Sequence, residues 1–137
     1  MSKPISIPQL NALLEVALYV EDIERAAAFY QALFGFEILF SDERLCAIGV
    51  AGRQVLLLCK RAASASLPLG AHDSSGRQHV AFAIPASDLN GWETRLLEQG
   101  VAIEDRRRWP RGGVSVYFRD PDGHLIELAT PGVWSIY

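Results

Sequence analysis

Apolar and polar positions alternate in one short run and then do so again much later. Glu15-Val16-Ala17-Leu18-Tyr19-Val20 has a period of two, and the pattern returns 64 residues on as His79-Val80-Ala81-Phe82-Ala83-Ile84. That period marks a strand with one face buried. Each run leads through an acidic residue into helical spacing. Asp22 can cap a helix to roughly Leu33 that buries Ala26, Phe29, Tyr30 and Leu33. Ser87 or Asp88 can cap a second, carrying Leu89, Trp92, Leu96 and Leu97. Gly35 and Gly100 end the two helices almost in register. Short strand candidates follow, Phe36 to Phe40 and Val101 to Glu104. Leu45 to Val50 and Arg53 to Lys60 then flank a turn at Ala51-Gly52. Gly113 to Arg119 and His124 to Thr130 flank Asp120-Pro121-Asp122-Gly123, a strong turn signal.

Each half therefore reads strand, helix, three strands. The expected fold class is α+β, two βαβββ modules pairing to form a curved, cup-like mixed sheet. Two copies are too few for a solenoid, so each must cover the other. A single domain spans 1–137, with module one about 11–61, a connector about 62–77 rich in Ala, Ser, Pro and Gly, and module two about 78–132. Half of the 137 residues are apolar and 21% charged, which excludes wholesale disorder. The net charge of −3 argues against a nucleic-acid partner, since Arg106, Arg107, Arg108 and Arg111 form only a local basic cluster. No apolar run approaches the ~20 residues that cross a bilayer. Met1-Ser2-Lys3-Pro4 lacks the pattern of a secretory signal. Cys46 and Cys59 show no CxxC or Cys/His spacing and read as reduced thiols, so a cytoplasmic location is expected.

Alternation also sorts the strand faces. Leu14, Val16, Leu18 and Val20 share one side of the first strand; Glu15, Ala17 and Tyr19 share the other. Val80, Phe82 and Ile84 oppose His79, Ala81 and Ala83, while Ile126 and Leu128 oppose Leu125, Glu127 and Ala129. With the aliphatic faces on the helices, Glu15, His79 and Glu127 fall on the same side of the sheet. Singly, each has an ordinary reading. A Glu at a strand start usually faces solvent, and a strand His is more often structural than a ligand. Glu127, between apolar neighbours, needs a partner if it is interior. Two carboxylates in one concave site repel unless a cation compensates them. A divalent metal held by Glu15, His79 and Glu127 is the simplest compensation.

At these residues the chain resembles the vicinal oxygen chelate superfamily, which includes glyoxalase I, extradiol dioxygenases, methylmalonyl-CoA epimerase, fosfomycin-resistance proteins and bleomycin-binding proteins. The carriers are Glu15 to Asp22, Ala28-Phe29-Tyr30, Leu33-Phe34-Gly35-Phe36, Gln78 to Phe82 and Tyr117 to Leu128. Trp109-Pro110-Arg111-Gly112-Gly113 and Ala129 to Trp134 resemble a glyoxalase-like branch. The resemblance implies metal ligands from the first and fourth strands of each module. The first position, often His in the family, is Glu15 here; the second module offers His79 and Glu127. The remaining position falls at or near Leu57, where no ligand-type side chain occurs. The four-ligand set of glyoxalase I is therefore incomplete, and three ligands leave positions open for substrate chelation. One His with two carboxylates is also more anionic than the two-His, one-carboxylate set of iron oxygenases. That places dioxygenase chemistry behind redox-neutral chemistry and leaves one divalent metal ion (Zn, Ni, Mn or Fe) as the implied cofactor.

The implied function is a metal-dependent glyoxalase-like enzyme of lyase or isomerase type, acting on a small vicinally oxygenated substrate. Alternatives are an extradiol-type dioxygenase and a non-catalytic antibiotic-binding protein of the bleomycin-resistance type. Fosfomycin modification is suggested by Tyr117 and Glu127, but no arginine follows Glu127 to hold a phosphonate. Glu15 or Glu127 could act as base. Tyr117 and Tyr19 could donate to a substrate oxygen, or each could be a core tyrosine with a local hydrogen bond. Arg111, Arg107 or Arg119 could pair with an anionic substrate, or remain solubilising charges. His72 could close over the site from the connector or stay on the surface, and Trp109 and Trp134 could form a pocket wall or a subunit contact. His124, just after the turn, should be exposed. Family members join modules within one chain or by exchange between chains, which implies a homodimer with no membrane partner.

Overall fold

Capping chemistry sets the first helix. In the computed structural model, which describes residues 6–137, strand β1 (Glu15–Val20) leads to Asp22. The Asp22 carboxylate accepts from the Arg25 N–H at 3.1 Å and starts helix α1 (Ile23–Phe34). Gly35, at φ 69°, ends it and returns its N–H to Gln31 O, a left-handed turn that glycine adopts without strain. Strands β2 (Glu37–Ser41), β3 (Leu45–Val50) and β4 (Gln54–Lys60) complete module one. Module two repeats the order: β5 (His79–Ala83), a 3-10 turn at Ala86–Asp88, α2 (Leu89–Glu98), β6 (Asp105–Arg108), β7 (Val114–Arg119) and β8 (Leu125–Ala129). The reading of Met1 to Pro4 lies outside the described residues.

Three local expectations are corrected. No side chain caps α2, whose first turn is instead prepared by the 3-10 turn. Leu96 is buried, but Leu97, the next residue around the helix, is 80% exposed. The strand expected at Val101–Glu104 begins later, at Asp105. The Val101 N–H is taken by Leu96 O at the helix end, and Val101 and Ile103 pack on the core instead of pairing.

Each module forms a four-stranded mixed sheet, ordered β1-β4-β3-β2 and β5-β8-β7-β6, with the first pair parallel and the others antiparallel. The registers match between modules. Glu15 lies opposite Val55 as His79 lies opposite Leu125, and Ala17 faces Leu57 as Ala81 faces Glu127. Leu57 therefore occupies, in module one, the place that Glu127 holds in module two. No ladder joins the two sheets among the described residues.

One core serves both modules. Leu18, Ile48, Leu56 and Leu58 meet Phe118, Ile126 and Leu128 around the helices, and Phe34 stacks on Phe36 and touches Phe82 and Trp92. The Tyr30 hydroxyl crosses between modules to donate to Asp120 Oδ2 at 2.7 Å, and Arg95 of α2 donates to Ala32 O and Leu33 O of α1. Of the aliphatic face expected on β1, Leu18 and Val20 enter this core but Leu14 and Val16 stay exposed, because the strand's start runs past the helices; the opposite faces carry the polar side chains.

His124 is buried at 0% exposure rather than exposed. Asp120 Oδ1 accepts from the N–H groups of Asp122 and His124, which folds the chain back after the turn. The imidazole then fills the seam between modules. Its Nδ1 accepts from Gln78 N–H at 2.8 Å, so Nε2 carries the proton and donates to Tyr19 O at 2.7 Å.

Candidate metal centre

The open face of module two gathers the chemistry that alternation predicts. His79 on β5 and Glu127 on β8 converge, with His79 Nε2 3.2 Å from Glu127 Oε1. His79 Nδ1 lies 2.8 Å from Leu125 O, which can only accept. One ring proton is spent on that bond, so in the neutral ring Nε2 turns a lone pair toward Glu127, whereas in the protonated ring it donates to Oε1. Glu127 is 7% exposed, and its other oxygen, Oε2, accepts from Ser115 Oγ at 2.5 Å. Ser115 Oγ in turn accepts from Trp109 Nε1 at 2.8 Å. Tyr117, paired directly with Glu127 across β7 and β8, lies with its ring 6.5 Å from that of His79.

These donors suit a divalent cation. An imidazole nitrogen and a carboxylate oxygen each about 2.1 Å from one ion lie about 3.0 Å apart at a right angle and about 3.4 Å apart at the tetrahedral angle. The observed 3.2 Å falls between. A metal-binding His commonly gives its second N–H to a carbonyl, and a ligating carboxylate is itself hydrogen-bonded; both hold here. Among the described residues, no three His, Cys, Asp or Glu side chains meet at one point. One copy of the chain thus joins two of the three expected ligands. Glu15 stands at an exposed position on β1 and lines a separate, largely apolar pocket of about 590 Å³ with Leu13, Val16, Val80 and Phe82.

The other expected residues divide by module. Tyr19 and His72 hydrogen-bond to each other in module one, their rings edge to face at 5.7 Å. Burial raises the Tyr19 phenol above its usual range, with the charges of Cys59 and Asp73 adding to the effect. His72 is half-buried, since its own N–H donates to Ser64 O and folds the connector against module one. In module two, His79, Tyr117, Arg107 and Arg119 line a pocket of about 360 Å³. Arg119 is already held by both oxygens of Glu104, at 2.6 and 3.1 Å. Arg107 lies over the Trp109 ring at 5.3 Å and forms no ion pair among the described residues. Arg111 is exposed in the β6–β7 turn, outside that pocket. Trp134 is 71% exposed.

Ser115 is the residue that sequence reasoning missed. Its signal was a small polar side chain on the face shared by Tyr117 and Arg119, in a run otherwise alternating with Val114, Val116 and Phe118.

Comparison with known proteins agrees with this architecture. The chain is 32% identical over 126 residues to metallothiol transferase FosB of Shouchella clausii, covering 88% of this chain and 81% of that protein. A lactoylglutathione lyase structure from Agrobacterium tumefaciens superposes with a TM-score of 0.87 at 30% identity, covering 93% of this chain and 99% of the other. The fosfomycin resistance protein FosX from Listeria monocytogenes, complexed with Mn(II) and sulfate, superposes with a TM-score of 0.68 at 27% identity, covering 89% and 91%. The family model for the Glyoxalase/Bleomycin resistance protein/Dioxygenase superfamily matches residues 12–128, and the chain belongs to that superfamily.

Proposed function

We propose that this protein is a metal-dependent enzyme of lyase or isomerase type, acting as a homodimer on a small molecule with adjacent oxygens. One observation carries the reading: His79 Nε2 and Glu127 Oε1 converge beside a pocket, each side chain fixed from behind by a hydrogen bond. Glu15 would complete the set from a second copy. It holds the place in module one that His79 holds in module two, and one chain does not bring it to the pair. A divalent ion bound there, of which Mn, Zn, Ni and Fe are candidates, would stabilise charge developing on a substrate oxygen.

The chain's own groups divide the remaining work. Glu15, exposed and without the serine partner that holds Glu127, would be the carboxylate free to take a substrate proton. Tyr117 would donate a hydrogen bond to a substrate oxygen beside His79. Arg107 would hold an anionic substrate group, because Arg119 is committed to Glu104 and Arg111 points elsewhere. Tyr19 and His72 of the second copy would close the site on the Glu15 side. The two buried free thiols fit a cytoplasmic setting, and no helix among the described residues is long and apolar enough to cross a membrane.

A second reading is transfer of a thiol to a small anionic electrophile. It is favoured by relatives named metallothiol transferase and by the uncommitted Arg107 guanidinium. Elemental analysis of protein purified without an affinity tag tests the shared premise. Near-stoichiometric divalent metal that disappears in Glu127→Ala and in Glu15→Ala supports it. A metal-free wild type that stays so after reconstitution overturns it and leaves a non-catalytic small-molecule binder. Turnover of a 2-oxoaldehyde–thiol adduct, against thiol addition to an epoxide phosphonate, separates the two reactions.

A further inference from the structure

We infer that Trp109 and Ser115 form a one-way hydrogen-bond relay that positions the Glu127 carboxylate, so that the cation affinity of the site is set from the β6–β7 turn. The inference rests on the metal reading above. The direction of the relay follows from donor chemistry. An indole N–H can only donate, so Ser115 Oγ accepts from Trp109 Nε1 at 2.8 Å. The single Ser115 proton is then free for Glu127 Oε2, 2.5 Å away. Oε2 is therefore occupied, and Oε1 is the carboxylate oxygen left facing His79 Nε2. His79 is fixed in the same manner through Leu125 O. The hydrogen bonds behind the two side chains thus leave Nε2 and Oε1 facing one gap.

The relay is built into the fold at both ends. Ser115 has 0% exposure on β7, so no solvent molecule competes at its hydroxyl. Trp109 is held in its turn by its backbone N–H to Gly113 O at 2.8 Å and by the Gly112 N–H to Trp109 O at 2.9 Å. The Arg107 guanidinium covers its ring. Trp109 is thus a positioning residue that reaches the carboxylate only through Ser115, in addition to any contact its ring makes with substrate.

Mn²⁺ titration of the full-length protein, with thermal unfolding in the presence and absence of Mn²⁺, tests this without substrate. Ser115→Ala should weaken Mn²⁺ binding ~10- to 100-fold, the range for losing a partner behind a metal ligand. Trp109→Phe, which keeps the ring and deletes the N–H, should weaken it by a smaller factor. The double variant should bind no more weakly than Ser115→Ala alone, because the indole acts through the hydroxyl. Ser115→Thr, which keeps the oxygen, should restore binding relative to Ala. The thermal shift produced by Mn²⁺ should shrink in the same order. Wild-type affinity in either single variant, or losses that add in the double variant, would overturn the relay while leaving the metal site standing. If Ser115→Ala does not fold, Trp109→Phe against wild type decides alone, and unchanged affinity there rejects the relay. A wild type that binds no Mn²⁺ and no other divalent ion removes the metal reading and the relay together.

Discussion

Tyr30 lies at 0% exposure on α1, and its hydroxyl reaches Asp120 Oδ2 at 2.7 Å, 90 positions away in sequence. Tyr30→Phe removes the donor and leaves a buried carboxylate oxygen short of a partner, which should cost about 1–3 kcal/mol in urea unfolding. Its alkaline behaviour gives a second readout. Burial first, and the Asp120 charge next, push the Tyr30 phenol far above its ordinary 10.0. Above pH 10 the unfolded phenol loses its proton while the folded one keeps it. The unfolded state then binds fewer protons, so this contribution is complete below pH 10 and is lost progressively as pH rises beyond it. Tyr30→Phe should flatten that decline, although Tyr19 and Tyr137, also raised by burial, preserve part of it. An unchanged alkaline slope would count against the assignment. Helical spacing made the burial of Tyr30 legible, but not the partner of its hydroxyl. His124 shows the same limit: a polar residue after a tight turn reads as solvent-facing, and only the folded seam reveals two backbone groups that need it.

Among the elements, the β6–β7 turn is the most tightly constrained. A Cβ on Gly113 would lie 2.5 Å from the backbone of Gly132 and Val133, so the turn and the C-terminal segment approach with no room for a side chain. Gly113→Ala should destabilise by about 1–3 kcal/mol or more, as overpacking against backbone does. Because Gly113 O also holds the Trp109 backbone N–H, which sets the indole over Ser115, the same change should weaken Mn²⁺ binding. Gly91→Ala is the opposite case. It lies inside α2 with nothing within 4 Å of the added carbon, and should gain roughly 0.5–1 kcal/mol from helix propensity. Thermal unfolding of the two variants should therefore move in opposite directions; a shared direction would contradict this account of the turn. Strand identity and facing were readable here because a period of two leaves few choices: β5, β7 and β8 present the expected sides. Element ends were less readable. Leu96 O captured the Val101 N–H and delayed β6, a competition invisible to alternation. The bond from Trp109 to Ser115 was hidden for a related reason, since it depends on the path of a turn.

For the whole molecule, the relation between the two sheets' first strands decides where Glu15 acts. Among the described residues β1 and β5 each have a ladder partner on one side only, and Leu13, Leu14 and Val16, around Glu15, are 80%, 65% and 42% exposed. Apolar surface of this kind beside an unpaired strand is normally covered. The internal repeat made the three proposed ligand positions readable by placing Glu15 and His79 in equivalent registers. Whether one chain unites them was not legible, because that depends on how the connector routes module one past module two. The shared-site arrangement predicts a dimer by analytical ultracentrifugation, and it predicts complementation. Glu15→Ala and Glu127→Ala each lack one ligand, so both homodimers should bind divalent metal poorly. In a mixed dimer, the Glu15→Ala chain supplies intact His79 and Glu127, and its Glu127→Ala partner supplies intact Glu15. One site is then complete and the other lacks both carboxylates. Co-refolding the two variants should therefore recover metal binding and activity that neither shows alone. If each chain builds its own site, every site in the mixture keeps its single defect. Recovery on mixing assigns Glu15 to the second copy; no recovery, with mixed dimers verified by mass, returns all three ligands to one chain.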